Sequence, residues 1–149
     1  MAIYSPFSAK ELVPQEEKLE VAKHKSQLFI GIPKETSYQE RRICLTPDAV
    51  SSLVSHGHRV MVEAGAGIHS SFSDTDYSQA GAEVTNDTKK VFGCPIVLKV
   101  EPPTLEEISW MNMESILISA IQLKTQKKEY FEALNTKKIT ARSEERRVG

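Results

Sequence analysis

From Leu28 onward, short aliphatic runs alternate with amphipathic stretches, and this alternation restricts the chain to few architectures. Leu28-Phe-Ile-Gly-Ile32 is a brief apolar run closed by Pro33, the pattern of a buried strand. Pro47 to Gly57 predicts a helix. Thr46 offers an N-cap hydroxyl, Pro47 suits the first helical position, Gly57 suits the stop, and Val50, Leu53 and Val54 form one apolar stripe. Arg59–Glu63 predicts a second strand, ended by Gly65-Ala-Gly67. A short helix follows from Asp74 to Ala80, capped by Ser73 or Asp74, then a strand at Ala82–Thr85 and a turn or helix from Asp87 to Phe92. Pro95–Val100 is the strongest strand, with four aliphatics before Pro102-Pro103. The series closes with a helix at Leu105–Trp110, a strand at Ser115–Ser119, a helix at Thr125–Leu134 and a strand beginning at Lys138–Ala141. Such alternation implies βαβ units, an α/β fold with a parallel sheet and right-handed crossovers.

Size and charge narrow the function. A chain of 149 residues accommodates one α/β domain and not two. Its 40% hydrophobic and 26% charged content argues against wholesale disorder. A net charge of −1 provides no general attraction to nucleic acid or anionic lipid. The longest nearly uncharged apolar stretch, Ser115–Leu123, is about half of the ~20 residues a membrane helix needs, so no direct membrane insertion is expected. The N-terminus lacks a cationic start followed by an apolar run. Cys44 and Cys94 form neither a disulfide framework nor a metal motif. The expectation is a reduced, cytoplasmic protein.

The two ends differ from the middle. Residues 1–27 are highly charged from Glu16 to Lys25, with Glu16/Glu20 and Glu20/His24 four apart, and predict a helical N-terminal extension with a solvated face. Residues 28–141 carry the α/β pattern. Residues 142–149, Arg-Ser-Glu-Glu-Arg-Arg-Val-Gly, follow what should be a buried strand and are expected to be a loop or a non-native, disordered tail.

In open parallel sheets, ligands bind at the carboxyl ends of strands. Three segments meet that rule. After Ile32, the loop Pro33–Arg42 concentrates Lys34, Glu35, Glu40, Arg41 and Arg42, and an arginine fork can hold a carboxylate with two parallel hydrogen bonds. After the fourth strand, Lys99 and Glu101 alternate with Val100 and are expected to share a face. After the fifth strand stand Gln122 and Lys124. The plain alternatives are a solvated charged loop, an edge ion pair and an ordinary loop glutamine. Gly65-Ala-Gly-Ile-His-Ser70 lacks the third glycine of a dinucleotide fingerprint, and its glycines are expected to serve a tight turn. The four histidines lack metal spacing, so no metal site is expected.

Ile30-Gly-Ile-Pro-Lys-Glu-Thr and Glu40-Arg-Arg-Ile-Cys-Leu-Thr-Pro-Asp-Ala-Val50 resemble the opening signature of the alanine dehydrogenase / pyridine nucleotide transhydrogenase family. The resemblance continues through Gly57-His-Arg-Val60, Glu63–Gly67, Phe72-Ser-Asp74, Tyr77, Ala80–Glu83 and Leu98-Lys-Val100, covering Leu28 to about Ala141. It implies a Rossmann-like (flavodoxin-like) parallel sheet with flanking helices, the incomplete N-terminal substrate domain of a two-domain enzyme. The NAD-binding domain, NAD or NADP in the full-length parent, would lie beyond residue 149. No cofactor site is expected in this chain alone, which is expected to be inactive by itself. The full-length form is expected to be a homo-oligomer acting on a small amino acid or oxo acid.

The resemblance also implies roles for residues. Arg42 matches the arginine that grips the carboxylate of alanine or pyruvate in alanine dehydrogenases. Lys99 matches the first lysine of a Lys-Val-Lys-Glu-Pro stretch and is the expected catalytic cation. Glu101 falls where the substrate-contacting second lysine stands, and Gln122 falls where the family has its catalytic histidine. Both are expected to line the substrate pocket. Imidazole can shuttle a proton near neutral pH and an amide cannot. The transhydrogenase branch also lacks that second lysine and histidine, so an alpha subunit of a proton-translocating transhydrogenase is the alternative. Saccharopine-type dehydrogenases share the domain and the Glu-Arg-Arg element. A non-catalytic fragment is the remaining reading.

Overall fold

The structure, a computed structural model, describes residues 26–143. Most of the N-terminal extension, and the tail beyond Ser143, lie outside the described residues. Six strands form one parallel sheet: β1 Phe29–Ile32, β2 Arg59–Glu63, β3 Glu83–Thr85, β4 Ile96–Leu98, β5 Ile116–Ser119 and β6 Thr140–Ser143. Five helices connect them: α1 Pro47–Ser55, α2 Asp74–Gln79, α3 Thr88–Phe92, α4 Leu105–Trp110 and α5 Lys128–Thr136.

The spatial order is β3-β2-β1-β4-β5-β6. This is the Rossmann order, whereas a flavodoxin-like sheet runs 2-1-3-4-5. The Rossmann-like expectation therefore holds and its flavodoxin-like qualifier is corrected. The physical reason is the direction of winding. The chain steps outward from β1 to β3, then crosses back through α3 to lay β4 on the other side of β1 and steps outward again to β6.

The alternation of strand side chains divides the interior in two. On one face Ile30, Ile32, Val60, Val62 and Tyr77 pack with Val50, under α1 and α2. On the other, Val97 and Leu117 pack with Phe92, Ile108, Tyr130 and Leu134, under α3, α4 and α5. Helix α3 crosses β1 so closely that a Cβ on Gly31 would collide with the Val91 carbonyl oxygen. A side chain there is excluded by packing.

The helix starts follow the sequence signals. Thr46 caps α1, accepting from the Ala49 amide at 3.4 Å, and Pro47 opens the helix. Ser73 and Asp76, and Thr104 and Glu107, form capping boxes on α2 and α4. Among the boundaries that shift from expectation, three have a visible cause. Strand β4 ends at Leu98 because the Val100 amide donates to the Glu35 carboxylate at 2.6 Å rather than continuing a ladder. Helix α5 starts at Lys128 because Thr125 is held in a turn against the Gln122 carbonyl. Strand β6 starts at Thr140 because Lys138 turns at φ 53°, and it runs through Arg142 and Ser143, paired with Ile118 and Ser119.

Candidate functional site

The strand order reverses between β1 and β4, so the loops leaving their carboxyl ends diverge and open a crevice between them, the place where such sheets bind ligands. The loop after β1 carries Glu35, Glu40 and Arg42, and the residues after β4 are Lys99, Val100 and Glu101.

Lys99 is buried. Its side chain is 2% exposed, and its ammonium donates to Glu35 Oε2 at 2.9 Å and lies 3.9 Å from Glu107 Oε2. Glu35 does more than pair with Lys99, since its carboxylate also accepts from the Val100 amide at 2.6 Å and the Glu101 amide at 3.4 Å. It therefore fixes the backbone that presents Lys99. Glu107 comes from the capping box of α4, where the same Oε2 accepts from the Thr104 amide at 2.8 Å. A buried ammonium needs counter-charges, and Glu35 and Glu107 supply them.

Arg42 is exposed but not unoriented. Glu40 takes its Nε at 2.9 Å and its Nη2 at 2.7 Å, a bidentate pair, and also accepts from the Arg42 amide at 2.8 Å. The guanidinium carries five N–H groups, so its outward Nη1/Nη2 edge remains available to a second carboxylate. Hydrogen bonding from Arg42 holds the Glu40 carboxyl down at about 2. Glu101, half-buried, contacts Glu40 through its side chain, and its own pKa is raised by burial, by that hydrogen bond and by the Glu40 and Glu35 charges, with Lys99 opposing.

Arg42 and Lys99 line one cleft of about 380 Å³ with Cys44, Leu98, Val100, Ile118, Ser119 and Ala120. Burial, with the neighbouring Glu35 charge, pushes the Cys44 thiol up to about 12, so it stays protonated. Glu101 and Gln122 line an adjoining cleft of about 420 Å³, walled by Pro102–Leu105 and by Thr125, Gln126, Lys127, Glu129 and Tyr130. Lys99 and Glu101, expected to share a face, thus open into different clefts. Gln122 is exposed, at φ 54°, with its carbonyl and Oε1 both turned to the Thr125 hydroxyl. Two hydroxyls in this region, Ser119 Oγ and Tyr130 OH, are buried without a hydrogen-bond partner among the described residues.

The Gly65-Ala-Gly67 segment forms a tight turn rather than a dinucleotide cradle. Gly65 adopts φ 78° in a turn, its amide held by Asp74 at 2.8 Å. A Cβ on Gly67 would lie 2.7 Å from the Tyr77 ring and 2.9 Å from the Phe72 carbonyl, so the space that glycine leaves is filled by the protein itself. Among the described residues no three His, Cys, Asp or Glu side chains are grouped to hold a metal, and no helix is long and apolar enough to cross a membrane.

Comparison with known proteins decides the family. Residues 31–147 match the domain described as "Alanine dehydrogenase/PNT, N-terminal domain". The chain belongs to this family. Within the alanine dehydrogenase/PNT family, the alanine dehydrogenase of Bacillus subtilis is 41% identical over 114 residues, which is 76% of this chain and 30% of that protein. A solved L-alanine dehydrogenase superposes with a TM-score of 0.74 at 37% identity, covering 78% of this chain and 32% of its own. A transhydrogenase from Sinorhizobium meliloti superposes with a TM-score of 0.71 at 30% identity, over 77% and 34% of the two chains. The chain thus spans about a third of the length of the alanine dehydrogenase/PNT proteins it matches.

Three residues of the site carry no role in the sequence reading. Glu35 is visible as a loop charge, but its pairing with Lys99, 64 positions away, is a product of the sheet order. Glu107 is legible as a helix cap through Thr104-x-x-Glu107, a signal that says nothing of Lys99. Ser119 gives no local signal.

Proposed function

We propose that this chain is the amino-acid-facing domain of an NAD-dependent oxidoreductase of the alanine dehydrogenase type, interconverting L-alanine with pyruvate and ammonium in the full-length protein. The observation that carries the reading is the pairing, in one cleft at the sheet's switch point, of an Arg42 guanidinium aimed by Glu40 with the buried Lys99 ammonium. The outward edge of Arg42 binds the substrate carboxylate. Lys99 polarises the carbonyl or imine, its position fixed by Glu35 and Glu107. Glu101 and Gln122 form the wall on the Pro102 side. The hydride acceptor, NAD or NADP, supplies the redox chemistry when bound and is held by residues outside this chain. By family resemblance the full-length protein is a homo-oligomer, and it acts in the reducing cytoplasm, where Cys44 and Cys94 remain thiols.

A second reading, the nucleotide-binding subunit of a proton-translocating transhydrogenase, is favoured by Glu101 and Gln122 at the positions of the family lysine and histidine and by the Sinorhizobium meliloti neighbour. The two separate in one assay of the protein expressed from the complete reading frame. Alanine-dependent NADH formation supports the first. Reduction of an NAD analogue by NADPH, without alanine-dependent NADH formation, supports the second.

A further inference from the structure

We infer that the Arg42 cleft takes 2-amino and 2-oxo acids whose aliphatic side chain is longer than the methyl of alanine, with Leu98 and Ile118 as the residues that set the accepted length. This rests on the amino-acid dehydrogenase reading and names the substrate class of the same site.

The floor of the cleft is an open stretch of sheet. Along β4 and β5 and just past their ends, burial alternates. Val97, Lys99, Leu117 and Ser119 are buried, whereas Leu98, Val100, Ile118 and Ala120 are half-buried. The buried set faces α3–α5, where Val97 and Leu117 pack. The half-buried set lies on the opposite face, the one that α1 and α2 cover at β1 and β2. Strands of a parallel sheet are ordinarily covered on both faces. Half-exposed aliphatic side chains on two internal strands therefore mark a surface suited to an apolar occupant.

Register gives the floor its length. Leu98 pairs with Ile118, and beyond that pair the Ala120 amide donates to the Val100 carbonyl at 3.1 Å. Side chains two residues apart on one face stand roughly 6.6 Å from each other. The Val100/Ala120 row and the Leu98/Ile118 row thus make two steps of one apolar track. A methyl group touches one row, and an unbranched side chain of about three carbons touches both.

Arg42 decides what lies on that track. Its guanidinium lines the same cleft as these four residues, and its outward edge takes a carboxylate. Cys44, its thiol kept protonated by burial, adds a small apolar wall. The four floor residues carry no polar side-chain atom, so a polar side chain laid on them would lose water without gaining a partner. A carboxylate at one end and an aliphatic chain at the other match the cleft along its length.

The test is steady-state oxidation of alanine, 2-aminobutyrate and norvaline by the protein from the complete reading frame, as wild type, Ile118→Ala and Ala120→Leu, with thermal midpoints of all three. For wild type, kcat/KM is expected to rise roughly fourfold with each added methylene. Ile118→Ala thins the floor and Ala120→Leu shortens it, and each is expected to lower the norvaline-to-alanine ratio of kcat/KM about tenfold. A wild type whose kcat/KM stays level or falls from alanine to norvaline overturns the inference and leaves the dehydrogenase reading standing. So does an unchanged ratio in either variant once folded. Together with a lowered midpoint in Ile118→Ala, that is the result expected if another part of the protein or a second copy covers this face. A wild type that oxidises none of the three acids overturns both.

Discussion

Arg42 and Glu40 act as one unit. Glu40 is buried, Arg42 is not, and the bidentate contact converts a mobile surface arginine into a fixed fork. Its pH behaviour follows from the sign of the shift. Glu40 is depressed from 4.5 to about 2, so its contribution to stability is fully present above the unfolded value and is lost as pH falls through the folded one. Glu40→Gln is expected to lower the urea midpoint at pH 6 and to flatten its decline between about pH 4.5 and 2, measured as a pH series of denaturant melts. Cys44, raised to about 12, is expected to resist iodoacetamide at pH 8 in the folded protein and to react once unfolded, read by mass spectrometry. At this scale the sequence was partly readable. Arg42 stood out through the Glu40-Arg-Arg42 element after a buried strand. The enclosure of Lys99 did not, because alternation locates a strand end without showing which distant carboxylates, Glu35 and Glu107, close over it.

Elements were legible where a local device sets them. Thr46-Pro47 and Ser73 announce helix starts through hydroxyl caps, and each accepts the expected amide. Boundaries were missed where a tertiary contact decides them, as with Val100, whose amide leaves the strand for Glu35. Helix α4 links stability to the site, since Glu107 both caps it and faces Lys99. Glu107→Ala is expected to destabilise by about 3 kcal/mol, above the ~1 kcal/mol typical of a lost cap, because a buried ammonium also loses a counter-charge. Thr104→Ala removes only the cap and is expected to fall near the lower figure. Denaturant melts of the two variants check the difference. Gly31→Ala is expected to destabilise through the approach of α3, by about 1–3 kcal/mol if the helix can shift outward.

At the scale of the whole molecule, the parallel α/β class followed from the alternation alone, while the strand order did not. Nothing in the local pattern of Ile96–Leu98 says that β4 returns to the far side of β1. That return creates the crevice, and with it the meeting of Arg42 and Lys99 from segments far apart in sequence. The Gly65-Ala-Gly67 turn leaves no room for a phosphate beside Gly67, since that space is taken by Tyr77 and Phe72. The 149-residue chain is accordingly expected to show no saturable NADH binding in a fluorescence titration. The central claim is that Arg42, aimed by Glu40 at the switch point, holds the substrate carboxylate. Steady-state oxidation of alanine by the protein from the complete reading frame, wild type against Arg42→Ala, tests it most directly. The account predicts a fall in kcat/KM of about a hundredfold. Turnover of alanine by Arg42→Ala at the wild-type rate and KM would contradict it.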